Sequence, residues 1–193
     1  MKKRIGIQGF LIFLSVCALI FFARYLFAFN RPKLLDGLFS IFGVILILLG
    51  YALRISSRGI KAQKNPDGKT LVTSGPYALT RNPMYLGTLL IGLGVTTTLF
   101  KWWVFLVFLA VYLAIYIPQI NREEKTLSAR FQDKFKEYCR LSPKFFPRLT
   151  KLFGAAPEKY FQIKANWAKK ELPSLIYTLV FIVGLKIWIY FQY

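Results

Sequence analysis

The sequence predicts an all-α, polytopic membrane protein of about five transmembrane helices plus cytoplasmic amphipathic helices, built as a single domain over residues 1–193. Three observations carry this. The 193-residue chain is 55% hydrophobic and 18% aromatic with a mean hydropathy of +0.44, too apolar for a soluble domain of its size. Apolar runs that cross, or nearly cross, a hydrocarbon core of about 30 Å recur at residues 5–29, 37–53, 84–100, 102–118 and 172–193. With the amino terminus inside, 22 of the 27 Lys and Arg fall in residues 1–4, 54–83 and 119–172. That is the positive-inside pattern of a multi-pass protein of the cytoplasmic membrane, with a cytoplasmic N-terminus and an external C-terminus.

The first helix follows a basic start, Met1-Lys2-Lys3-Arg4. Its apolar stretch is too long for a signal-peptide core and ends in Arg24 and aromatic residues, so it reads as a retained anchor. Asn30-Arg31-Pro32-Lys33 turns the chain outside. The second helix carries Gly37, Gly43 and Gly50 at spacings of six and seven residues, a stripe that lets helix backbones approach closely in lipid. A polar loop over residues 54–74 contains the β-turn signature Asn65-Pro66-Asp67-Gly68. Helix three opens at Pro83, where a missing N–H is harmless. Thr96 to Lys101 leave almost no loop before helix four, so the two form a tight antiparallel hairpin whose ends at Pro83 and Pro118 lie side by side. Leu127, Phe131, Phe135 and Tyr138 then recur at spacings of four, four and three. They mark an amphipathic helix suited to the interface or to covering the hairpin mouth. Tyr160, Ile163 and Trp167 repeat the pattern more weakly. In the last span, Trp188, Tyr190 and Tyr193 near Lys186 favour a lysine that snorkels outward.

Charge and composition restrict the chemistry. A net charge of +19 spread in this way faces anionic lipid head groups, and no basic-aromatic module for nucleic acid is present. There is no histidine, which excludes histidine-activated nucleophiles, zinc catalysis and imidazole-ligated haem. The two cysteines, Cys17 and Cys139, are too far apart in the topology to build a disulfide or a metal site. Only eight acids occur, and two of them, Glu123 and Glu124, follow the end of helix four. The hairpin sets them opposite Arg81 and Asn82 across roughly one helix diameter of about 10 Å. Singly, Tyr77 and Tyr85 read as interface aromatics, Arg81 as an inside-positive residue and the glutamates as first-turn acids. Jointly they read as a polar pocket at the hairpin mouth.

The stretch Gly75-Pro76-Tyr77, the stretch Arg81-Asn82-Pro83-Met84-Tyr85-Leu86-Gly87 and the downstream Glu123-Glu124, Leu127, Phe131, Tyr138 and Phe146-Pro147 together resemble a known family. It is the isoprenylcysteine carboxyl methyltransferase and phospholipid methyltransferase group of integral-membrane enzymes. The resemblance covers about residues 70–148, and implies a cytoplasm-facing S-adenosylmethionine pocket there, with a lipophilic substrate entering from the bilayer. By the same resemblance, Gly75, Pro76 and Tyr77 form the turn against the cofactor and Asn82 stands where many members carry histidine. Tyr85 lines the pocket, Glu123 or Glu124 holds cofactor hydroxyl or amino groups, and Arg81 orients an anionic substrate group. Gln132 departs from the glycine commonly found after that phenylalanine. Two other readings stay open: an NADPH-dependent membrane enone or steroid-type reductase, which is similar in the last third, and a non-enzymatic membrane scaffold. The methyl acceptor and the oligomeric state are not readable from the chain.

Overall fold

The structure, a computed structural model, describes residues 22–28, 30–147 and 160–192. Most of the first predicted span lies outside the described residues, and its end forms one helical turn, α1 (Ala23–Leu26). The chain continues as α2 (Lys33–Lys64), α3 (Pro76–Leu79), α4 (Pro83–Leu99), α5 (Trp102–Leu141), α6 (Ala165–Ala168) and α7 (Leu172–Gln192), with no strand among the described residues. Helices α2, α5 and α7 are long and apolar enough to cross a membrane, and α4 is a shorter apolar helix. Large side chains such as Leu34, Ile41, Leu48, Val111, Ile115 and Val180 stand exposed on their outer faces, as lipid-facing residues do. The chain is an all-α membrane protein.

Two boundaries differ from the sequence expectation. Helix α2 does not end at residue 53 but runs 32 residues to Lys64, about 48 Å, so half of the predicted loop is helix. Nothing in residues 54–64 breaks a helix, and the extension is covered by other parts of the chain as far as Ile60. Trp167 packs on Gly59, and Ser56 Oγ accepts from Gln162 N at 3.1 Å. The predicted turn follows directly: Gly68 N donates to Asn65 O at 3.3 Å and Gly68 takes a φ of +69°. Helix α5, 40 residues in all, likewise passes through Pro118, so the predicted amphipathic helix belongs to its C-terminal part. Its regularity fails once, at Gln132, with φ 42° and ψ −115°. The weaker pattern over Tyr160, Ile163 and Trp167 becomes the single turn α6 after extended backbone.

The helices pack where the small residues allow it. On α2, Gly43 faces Gly94 of α4 and Gly50 faces Gly87, and a Cβ at Gly50 would sit 2.6 Å from Gly87 O. Gly37, the third residue of the predicted seam, has nothing within 4 Å. Helices α4 and α5 form the predicted hairpin across Phe100 and Lys101. Phe100 stacks on Phe27 at 4.8 Å, and Lys101 N donates to Leu26 O at 2.9 Å. Helix α7 docks on α2 through the Tyr51 hydroxyl, which lies 2.9 Å from both Ser174 Oγ and Thr178 Oγ1. It docks a second time through Lys186. This lysine does not snorkel: its Nζ lies 2.5 Å from Asp36 Oδ2 and 2.7 Å from Ser40 Oγ. A carboxylate in the first turn of the neighbouring helix pairs with the ammonium.

Candidate active site

The mouth of the hairpin is built by a turn that only a few residue types permit. Gly75 takes φ +63° and ψ −136°, and a Cβ there would run into Ile60 Cδ1, so both its conformation and its surroundings require glycine. Pro76 starts the four-residue α3, which Thr80 ends in extended backbone. Gly75 and Pro76 are buried against α2 and shape the turn. The turn then presents Arg81 and Asn82 just before α4, whose first residue is Pro83. Asn82 occupies the N-cap position, yet its side chain makes no cap and points elsewhere.

Glu124 is the centre on which these side chains converge. Arg81 Nε donates to Glu124 Oε1 at 3.0 Å, and Asn82 Nδ2 donates to the same oxygen at 3.2 Å. Lys144 Nζ lies 3.5 Å from Glu124 Oε2. Arg81 does more than pair: its Nη1 donates to Cys139 O at 3.2 Å and to Ser142 O at 2.9 Å, tying the last turn of α5. The backbone closes the same seam. Arg81 N donates to Pro143 O at 2.8 Å, Tyr138 OH to Tyr77 O at 2.8 Å, and Ser142 Oγ to Ala78 O at 3.1 Å. The amphipathic half of α5 therefore covers the mouth, with Phe135 and Tyr138 buried beneath it.

Glu123 points the other way, toward solvent, where it accepts from the Tyr85 hydroxyl and from Gln119 Nε2 at 3.4 Å. Tyr85 meets Tyr116 edge-on at 5.5 Å, Tyr116 stacks on Tyr112 at 4.3 Å, and Tyr112 OH donates to Tyr85 O at 2.5 Å. Burial pushes the Tyr77 phenol well above its usual range, and the negative charge of Glu123 adds to the shift, so it stays protonated. The structure thus brings Arg81, Asn82 and Glu124 into one cluster, sets Tyr85 with Glu123 on its rim, and leaves Gly75 and Pro76 behind it.

A cavity of about 630 Å³ opens beside the cluster rather than over it. Its walls include Lys69, Thr70, Leu71, Phe131, Glu137 and Tyr138, and it reaches the cluster through Ala78 and Ser142. These residues lie within or at the edge of the region expected to hold a cofactor, but their side chains carry no motif that singles them out. The sequence alone does not single out Lys144, whose partners Asn121 and Glu124 become visible only once the chain is known to turn back at Gln132. Among the described residues, no three His, Cys, Asp or Glu side chains come together as a metal site would require.

Comparison with known proteins places this geometry. The chain is 36% identical over 155 residues to the cobalt-zinc-cadmium resistance protein CzcN of Cupriavidus metallidurans, an alignment covering 77% of this chain and 66% of that protein. It is 37% identical over 82 residues to the nickel-cobalt-cadmium resistance protein NccN of Alcaligenes xylosoxydans xylosoxydans, covering 42% of this chain and 37% of that protein. The chain thus spans just under two thirds of the first curated relative and little more than a third of the second. No solved structure gives a significant match. The family model described as phospholipid methyltransferase matches residues 38–134, half of the chain, and takes in Arg81, Asn82, Tyr85, Glu123 and Glu124. The chain belongs to the phospholipid methyltransferase family.

Proposed function

We propose that this chain is an S-adenosylmethionine-dependent integral-membrane methyltransferase acting on a lipophilic acceptor, an isoprenylcysteine-type carboxylate or a lipid head group. The observation that carries the reading is Glu124 gripped by Arg81 and Asn82 at the hairpin mouth, inside the segment that matches the family. The residues present suit such a cofactor. The adjoining cavity is within the range of about 300–1,000 Å³ usual for small-molecule sites. Glu124 and Glu137 can accept from hydroxyl and amino groups, while the tyrosine rings of residues 85 and 116 suit a sulfonium cation.

When bound, S-adenosylmethionine supplies a methyl group on sulfur for in-line displacement. The chain's part is to position the acceptor, and alignment of this kind can lower a barrier by about 7–11 kcal/mol. Arg81 has a planar fork of donors that can hold one oxygen of an acceptor carboxylate, and then no proton has to move. An amine acceptor must lose a proton, which Glu123, exposed at the rim beside Tyr85, can take. Asn82 donates and accepts hydrogen bonds but is no base. Two relatives are named for resistance to metal ions. This chain's donors, with no histidine and two distant cysteines, suit those ions poorly, so we place its activity on lipid.

Calorimetric titration of the detergent-purified chain with S-adenosylmethionine, S-adenosylhomocysteine and NADPH tests the reading. Binding of the two adenosyl compounds is expected, weakened about tenfold or more in Glu124→Gln through loss of a charged acceptor. Binding of NADPH alone would transfer the chain to reduction chemistry, and a flat response to all three in the presence of lipid would leave a scaffold.

A further inference from the structure

A second charged cluster lies apart from the mouth, where α2 leaves the apolar layer. Arg54 Nη1 donates to Thr88 Oγ1 on α4 at 2.6 Å, and Arg54 Nε and Nη2 donate to Glu171 Oε2 and Oε1 at 3.2 and 3.3 Å. Arg58 Nη1 lies 2.6 Å from the same Glu171 Oε1. Glu171, the residue just before α7, is only 2% exposed. One carboxylate therefore faces two guanidiniums, and the cluster keeps one positive charge in surplus at the membrane interface. A clamp docking α7 onto α2 explains Glu171 and one arginine, since Arg54 alone reaches both carboxylate oxygens. It does not explain the second guanidinium.

The stem of Arg54 passes over Gly87, where a Cβ would sit 2.7 Å from Arg54 Cγ. Without that glycine the arginine could not reach Thr88. Thr88 is three residues beyond Tyr85 and six beyond Asn82, so the guanidinium lies about 4.5 and 9 Å deeper along α4 than those two residues. A single lipid head group can span such a gap. The Arg54 and Arg58 side chains are 23% and 42% exposed, so both stay accessible, and each guanidinium has five N–H donors, more than the contacts named here use.

We infer that Arg54 and Arg58, aligned by Glu171, form an anion subsite that holds the phosphate of a membrane phospholipid. Paired forks of this kind match phosphate geometry. Assigning that lipid to the acceptor rests on the methyltransferase reading; the binding itself does not.

The test is thermal unfolding of the full chain in neutral detergent with three probes: dihexanoyl phosphatidic acid, dihexanoylglycerol and inorganic phosphate. Phosphatidic acid is expected to stabilise the protein at concentrations where the other two do nothing. Arg58→Gln leaves Glu171 paired with Arg54 and should weaken that response about tenfold, the loss of one charge-assisted contact. Lys61→Gln, the same charge change at an exposed site on α2, should leave it intact. Should Arg54→Gln fail to fold, Arg58→Gln still decides the matter. An equal response to dihexanoylglycerol, or an unchanged one in Arg58→Gln, overturns the inference, and inorganic phosphate acting as strongly as the lipid overturns its lipid part. A phosphatidic acid response in protein that binds no adenosyl compound keeps the subsite and removes the methyltransferase reading alone.

Discussion

Gln132→Gly should stabilise this protein, although glycine in a helix ordinarily does the reverse. Gln132 sits inside α5 with φ 42° and ψ −115°, close to the first central position of a type II′ turn, where glycine is the usual residue. A side chain held in such a region costs about 1–3 kcal/mol. Glycine removes that strain, while its greater freedom in the unfolded chain gives back about 0.5–1 kcal/mol. The net expectation is a gain of about 1 kcal/mol, which for a chain of this size raises Tm by about 2–4 °C. Thermal unfolding in detergent, followed by far-UV circular dichroism, measures it. Gln132→Ala keeps the Cβ and should change little, and Asp133→Gly, the next residue along the helix, should lower stability by about 0.5 kcal/mol, or Tm by about 1–2 °C, through helix propensity and the lost pair with Lys136. If Gln132→Gly destabilises as much as Asp133→Gly does, α5 runs straight through residue 132 and the reasoning fails.

Lys186→Met leaves Asp36 without its partner among lipid-facing helices and should lower Tm measurably, whereas adding Asp36→Asn should recover most of the loss. Equal stability of the lysine and methionine proteins would favour a snorkelling lysine after all. Gly50→Val places methyl groups where Gly87 O and the Ile91 side chain already lie, so it should cost about 3 kcal/mol or prevent folding. The same change at Gly37, where no atom comes within 4 Å, should be tolerated, and comparison of detergent-purified yield and Tm for the pair checks the seam.

The parts of this fold that were legible in the sequence are those fixed by short separations. The hairpin of α4 and α5 follows from a two-residue connection, and once it is drawn, Arg81 and Glu124 must end up near one another. The glycines of α2 marked a packing seam because small residues on one face let another backbone approach, but they did not name α4 as its partner, and Gly37 lies beyond its end. What could not be read were pairings decided by the docking of distant helices. Lys186 finds Asp36 across 150 residues and Arg54 finds Glu171 across 117, and no local pattern encodes either. Helix ends were misjudged where polar sequence is still helix: residues 54–64 look like loop by hydropathy, yet Gly59 and Ser56 within them are covered by Trp167 and Gln162. The walls of the cavity were invisible for a related reason, since the turn at Gln132 had to be known before Phe131 and Glu137 could be set beside Thr70.

The contacts around Glu124 are unequal, and this orders what a ligand can displace. Lys144 is 45% exposed and holds the carboxylate at 3.5 Å, while Asn82 Nδ2 has a second acceptor in Lys144 O at 2.9 Å. Arg81 is 13% exposed and is fixed independently by two α5 carbonyls and by its own backbone N–H. A hydroxyl or amino group arriving at Glu124 therefore replaces Lys144 first, and Arg81 last. Arg81 serves the fold as well as the site, because it satisfies the carbonyls of Cys139 and Ser142 that the end of a helix leaves open. Arg81→Ala strips those carbonyls and leaves Glu124 short of its strongest partner, so it lowers stability together with activity and cannot by itself assign a catalytic role. Lys144→Gln loosens only the outermost contact. If Glu124 receives the cofactor, that variant should retain the fold and bind S-adenosylhomocysteine at least as tightly as the unmodified chain, and weaker binding would place Lys144 on the ligand instead.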